Sequence, residues 1–293
     1  MTLLSWALLW AQLFNGLVLG ALLVIVAMGL TIIFGALGVV NFAHGALYML
    51  GAYAGYLAYL ETRSFLLAMA AGSVFVLVVG VVLERGLMRR YYERPPEDQI
   101  LVTFGIGIVL VEIVRLVFGG ISRRTEAPFW GRGVVNLGVT YYPAYQVEVL
   151  GIVALALFAL YLILYRTKIG LILRAGIEDP LMVSILGINL NRTFLLVFGL
   201  GAMAAGFAGV INSPIVSVDP DMGAPILVQC FVVVVIGGVG SFWGAVAGGL
   251  IAGEILALTT MVAPDYAQVM LFAAMALILI VRPQGLFGVQ TRR

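Results

Sequence analysis

The sequence predicts an all-α, polytopic integral membrane protein, and three features carry that prediction. Apolar residues make up 63% of the chain and charged residues only 10%, where a globular chain carries roughly a quarter charged. The apolar residues fall in runs of about 20, each able to cross a bilayer core of roughly 30 Å. Lys and Arg are distributed unevenly between the segments that join those runs. One membrane domain over residues 1–293 is expected, without room for a soluble domain or a cleaved basic leader.

The chain opens on an almost uncharged run from Leu3 to Leu60, which holds two or three crossings. A break falls near Gly35 to Asn41, before Phe42-Ala43-His44-Gly45. Spans follow at Phe65–Leu83, Ile100–Phe118, Val147–Tyr165, Phe194–Ile211 and Tyr266–Val281, the last stopped by Arg282-Pro283. The stretch Ile226–Leu258 is long enough for two crossings and breaks at Gly237-Gly238-Val239-Gly240-Ser241. The count is eight or nine. Residues 119–145 form a polar segment with Phe129, Trp130, Tyr141, Tyr142 and Tyr145, amphipathic rings suited to a membrane boundary.

Placing residues 84–98, 166–192 and the tail from Arg282 on one side gives that side eleven of the sixteen basic residues. The Lys/Arg bias makes it cytoplasmic. An even or odd number of crossings in the first run would place the N-terminus on opposite sides.

The longest polar interruption, Thr167 to Asn189, contains a short helix. Asp179 suits an N-cap, Pro180 the first helical position, and Gly187 the left-handed residue past the end. About two turns from Pro180 to Leu186 then carry Leu181, Met182, Ile185 and Leu186. Two turns do not hold themselves together in water, so this helix needs a bilayer or a soluble partner to lie on.

Several chemistries are excluded. The single lysine, Lys168, does not follow the glycine spacing of a phosphate-binding loop, and the single histidine, His44, rules out a two-histidine zinc helix. Cys230 is the only cysteine, so there is no disulfide framework. Ionisable residues inside spans are functional candidates, since a charge at the bilayer centre costs on the order of 3 kcal/mol. Glu112 and Arg115, three apart, either neutralise each other or form a substrate site. Glu254 either lines a polar cavity or lies nearer the surface. These groups do not add up to a proton relay.

The 36 glycines cluster at helix-packing spacing. Two runs also carry polar residues at the expected breaks, and irregular backbone at membrane depth must line protein or water. Candidate pathway residues are therefore Asn41, His44 and Gly45, with Gly237, Gly238, Gly240, Ser241 and Glu254. The two runs resemble each other loosely, as an internal repeat would.

Asn15-Gly16, Phe34-Gly35, Asn41-Phe42-Ala43-His44-Gly45, Arg174-Ala175, Leu186-Gly187-Ile188-Asn189 and Gly237-Gly238-Val239-Gly240-Ser241 stand in an order similar to that of membrane permeases of branched-chain amino acid ABC importers, the LivH-type subunit. The resemblance covers nearly the whole chain. It departs at Leu171, where the family often has a basic residue, and at Val183-Ser184, where paired alanines are common. It implies an ATPase-coupling loop made of Arg174, Asp179, Pro180, Leu181, Met182, Ile185, Leu186 and Gly187. It also implies a LivM-type second permease, two cytoplasmic ATPase subunits carrying ATP and magnesium, and an extracytoplasmic binding protein. No cofactor, metal or nucleic acid belongs to this chain itself, and the setting is a bacterial or archaeal cytoplasmic membrane. The implied substrates are leucine, isoleucine and valine; urea or short amides are the alternative within the family, and a stand-alone carrier or channel the alternative outside it.

Overall fold

The computed structural model describes residues 6–136, 138 and 140–288, with Pro180 described by its backbone only. The first run resolves into two helices, α1 (Trp6–Leu37) and α2 (His44–Thr62). At 32 residues α1 rises about 48 Å, more than a bilayer core needs, and it is buried almost continuously from Val18 to Ile33. It is the central post of the bundle. Gly38, at φ +66°, ends it where the sequence breaks. The extended residues after it are tied to the next hairpin by Thr103, whose hydroxyl accepts from Phe42 N (3.1 Å) and donates to Gln99 O (2.9 Å).

Ser64 caps α3 (Phe65–Gly86), and Pro96 opens α4 (Pro96–Phe118) at the position where a missing N–H costs nothing. After α4, the aromatic segment folds into a hairpin, β1 (Val134–Asn136) against β2 (Tyr141–Pro143), with Val135 opposite Tyr142. Helix α5 (Ala144–Arg166) returns to the basic side.

The polar interruption holds two helices where the sequence suggests one. Thr167 caps α6 (Lys168–Glu178) by accepting from Gly170 N at 3.4 Å. Its Gly170, Leu173 and Gly176 are buried, a spacing of three that puts them on one face. Helix α7 (Pro180–Ile185) follows as expected: Asp179 accepts from Met182 N at 2.9 Å and Gly187 takes φ +75°. Asn189 then caps α8 (Leu190–Asn212).

The stretch after α8 divides at the expected glycines into α9 (Gly223–Gly237) and α10 (Phe242–Val262), and α11 (Ala267–Val281) is last. Residues beyond α11 fold back, and Leu286 N and Phe287 N satisfy the final carbonyls of α9, Ile236 O and Gly237 O, at 2.8 and 2.9 Å. Among the described residues seven helices are long and apolar enough to cross a membrane. With the less apolar α2 and the 15-residue α9 that makes nine long or apolar helices among the described residues. At 15 residues α9 rises only about 22 Å, less than a bilayer core of roughly 30 Å, and at its start Gly223 meets the backbone of Gly45.

Helix α8 passes between α2 and α3 at a distance only glycine permits. A Cβ on Gly51 would collide with the Gly206 carbonyl, and one on Gly209 with the Tyr48 carbonyl. Gly51→Leu is therefore expected to cost on the order of 3 kcal/mol, read as a lower melting temperature in detergent, while Leu57→Ala on the exposed face of α2 leaves it unchanged.

Candidate substrate pathway and coupling surface

Two cavities approach each other from opposite faces. The outer one, about 590 Å³, lies among α1, α8, α9 and the 213–222 segment. Apolar Val18, Leu19, Leu22 and Ile226 share its wall with Asn15, Gln146, Asn212, Asp219, Asp221 and Gln229. Tyr48 and Asn212 form one side: Asn212 Nδ2 donates to the Tyr48 hydroxyl at 2.6 Å, and Asn212 Oδ1 has no partner among the described residues. Asn15 accepts from the hydroxyl of Tyr142, whose phenol burial pushes up to about 12. Asp219 Oδ1 accepts from Asp221 N (3.0 Å), closing the turn that roofs the cavity.

The inner cavity, about 140 Å³, lies on the basic side, lined by Met28, Thr31 and Gly35 of α1, Tyr165, Leu173, Arg174 and Gly240. The Arg174 guanidinium donates to Leu164 O and stands 5.2 Å over the Tyr165 ring. Leu22 faces the outer cavity and Met28 the inner, six residues or about 9 Å apart. Leu23 to Ala27 between them are fully packed. That short plug of α1 separates the two.

The sequence-predicted pathway residues are dispersed. His44 is buried, with Nε2 3.0 Å from Val26 O. A carbonyl only accepts, so the proton sits on Nε2 and the ring pins α2 to α1. Asn41 Oδ1 accepts from Ala43 N and shapes the break. Gly45 lines a third, lateral groove of about 290 Å³ between α4 and the start of α9. Gly237 packs on Gly244, Gly238 on residues 284–288, and Ser241 caps α10 through Gly244 N at 3.1 Å. Gly240 alone among them lines the inner cavity, where it meets Gly35, so the two similar glycine runs touch. Glu254 packs over Gly16, with one carboxylate oxygen buried and without a hydrogen-bond partner among the described residues.

Glu112 and Arg115 pair at 2.5 Å, and Arg115 also holds Asp221 at 2.7 Å, so the pair is part of a trio that lines the lateral groove, with Asp221 also on the wall of the outer cavity. A second charged knot lies where the sequence reading sees only a loop. Glu84, fully buried at the end of α3, accepts from Arg89 (3.2 Å) and the Tyr92 hydroxyl (3.0 Å). Burial, then the Glu84 charge, raises the Tyr92 phenol far above its ordinary value. Arg89 also donates to Asn191 O at 3.4 Å, tying this corner to the start of α8.

The surface of α7 is the clearest feature of the basic side. Leu181, Met182, Ile185 and Leu186 are 53–72% exposed, while Val183 is buried and anchors the helix. Val183 N and O both bond to neighbouring backbone, at Asp179 O and Ile188 N (3.3 Å each).

The family described as the permease component of branched-chain amino acid transport systems matches residues 12–279. The chain belongs to this family. It is 32% identical over 292 residues to the high-affinity branched-chain amino acid transport system permease protein LivH of Escherichia coli, covering 94% of each chain. It is 31% identical to BraD of Pseudomonas aeruginosa, covering 94% of this chain and 95% of that one. LivM of Salmonella typhimurium is 28% identical over 90% of this permease and 67% of its own length. This permease is thus a multi-pass membrane component of a branched-chain amino acid transport system.

The sequence reading of the permease misses Gln146, Asn212, Asp219, Asp221 and Gln229. Uncharged amides within apolar runs were the available signal, but only the fold shows which of them share a cavity. The Tyr48–Asn212 pair gives a direct test. Tyr48→Phe leaves a buried amide unbonded and is expected to cost ~1–3 kcal/mol, whereas Tyr48→Phe with Asn212→Leu recovers most of that loss in thermal unfolding.

Proposed function

We propose that this permease moves branched-chain amino acids inward by alternating access, driven by separate ATPase subunits that grip α7. The observation that carries the reading is the apolar face of α7, held out on the basic side by a capped, anchored helix with nothing of its own to cover it. Burying each such side chain in a partner cleft contributes roughly 1.5–3 kcal/mol. A cleft that fits α7 in one arrangement of the bundle better than in the other would bias the equilibrium between them. ATP and magnesium belong to that partner.

The outer cavity suits a zwitterion with a branched apolar side chain delivered from outside by a binding protein. Asp219 offers a carboxylate to an ammonium group, Asp221 being held by Arg115, the amides of Gln146 and Gln229 offer donors to a carboxylate, and Val18, Leu22 and Ile226 offer an apolar wall. Neutral urea would leave the Asp219 carboxylate without a counter-charge, which supports the amino-acid reading. Rocking of the helices around the α1 plug then opens the inner cavity while closing the outer one. A LivM-type subunit completes the pathway on the other side.

Leu186→Asp places a charge in the proposed cleft. The transporter is expected to insert and assemble, but substrate uptake in proteoliposomes falls more than about tenfold while ATP hydrolysis loses its dependence on substrate. Normal uptake by this variant would end the coupling role of α7. Asp219→Asn keeps the turn, because an amide oxygen also accepts from Asp221 N, and removes only the charge. Its KM for leucine uptake is expected to rise about tenfold, with assembly unchanged.

A further inference from the structure

The corner between α3 and α4 contains a cavity of about 460 Å³ that the transport reading does not use. It is lined by Leu87, Arg90, Tyr91, Arg94, Asp98, Leu101 and Val102. Among the described residues neither Arg90 nor Arg94 has an ion-pair or side-chain hydrogen-bond partner, whereas the neighbouring Arg89 is taken by Glu84. Two free guanidiniums facing one cavity are an arrangement for a phosphate, since guanidinium donors match its oxygens. Asp98 keeps the net charge of the cavity at +1 and supplies an acceptor beside the cations.

What lies below that cavity decides the kind of ligand. Asp98, Leu101, Phe104, Ile108 and Val111 follow one another at three- and four-residue spacing, one face of α4. Leu101 is 70% exposed, and Phe104 and Ile108 are also exposed. Phe104, Ile108 and Val111 line the lateral groove, together with Phe42, Ala46 and Leu227, and beyond them Glu112, Arg115 and Asp221, joined through Arg115, line it too. A cationic pocket on the basic side therefore continues, about 10 Å further along the helix, into a mainly apolar groove. A soluble protein would meet only the first half of this surface. An amphiphile meets both.

We propose that the α3–α4 corner binds an anionic phospholipid of the cytoplasmic leaflet, of the phosphatidylglycerol class. Arg90 and Arg94 hold the phosphodiester, Asp98 accepts from a headgroup hydroxyl, and an acyl chain lies along Leu101, Phe104 and Ile108 into the lateral groove. Because Arg89 ties the same corner to Asn191, the lipid would brace the base from which α7 projects.

The test uses the assembled transporter purified in mild detergent and stripped of lipid, with retained or re-added lipid measured by native mass spectrometry. Phosphatidylglycerol is expected to bind in preference to phosphatidylethanolamine and phosphatidylcholine. Arg90→Gln and Arg94→Gln each weaken it about fivefold, while the double Lys variant retains most of the binding. Ile108→Trp, which fills the groove and leaves both arginines in place, weakens it as well. Arg85→Gln, a cation on the same side that does not line the cavity, leaves binding unchanged. Equal loss with Arg85→Gln means diffuse charge attraction and overturns the site. Equal binding of phosphatidylethanolamine overturns the anionic assignment. Loss of the ATPase or second permease subunit from the Gln variants, with lipid retention unaltered, means that a protein covers the corner and overturns the proposal. None of these outcomes bears on α7, so the transport reading stands or falls separately.

Discussion

Backbone packed directly on backbone is the constraint on which the rest of the permease depends. Where α2 crosses α8, Gly51 meets Gly206 and Gly209 meets Tyr48, and where α9 begins, Gly223 meets Gly45. In lipid there is no hydrophobic gain from bringing two apolar helices together, so association rests on close van der Waals contact and helix geometry. These crossings bring α1, α2, α8 and α9 near enough to enclose a polar cavity on one side and a narrower one on the other. They also allow the break at 38–43 and the short α9 to exist at membrane depth, because neighbouring elements receive the freed backbone groups. Thr103 does this for Phe42 N.

The polar groups are arranged in a consistent way around that frame. Charges sit at the ends of helices, paired across elements: Glu84 with Arg89 on the basic side, and Arg115 with Asp221 on the opposite one. Each pair fixes a turn to a helix, the first at the entry to α8 and the second at the roof of the outer cavity. In between, the α1 plug from Leu23 to Ala27 carries no polar side chain. That distribution holds the turns in place and leaves the middle of the pathway free of fixed charge, as a conduit for a zwitterion that must also leave requires.

Local and non-local information separate cleanly in the coupling loop. Asp179, Pro180 and Gly187 act on backbone groups within one turn, so their meaning is contained in four or five consecutive residues, and α7 is legible in the sequence to within a residue. Helix α6 is not, because its buried face is made of Gly170, Leu173 and Gly176, two of which carry no hydrophobic signal. They become a face only because α5 and Leu190 come close to them. Glu84 is misread for the same reason: next to Arg85 it looks like the start of a loop, and only Arg89 and Tyr92 folding back onto it allow a buried carboxylate.

By itself the sequence determined that the chain is a helical membrane protein, where its spans begin and break, which side is basic, and that a capped apolar peg stands there. Those features follow from composition, run length and capping, which act over a turn or a span. Only the tertiary structure decided which glycines meet, that His44 pins two helices instead of lining a cavity, and that Asn15, Gln146, Asn212, Asp219 and Gln229 share one chamber. Such groupings depend on which helix faces turn toward each other, and in a chain apolar on every face no periodicity in the sequence encodes that rotation.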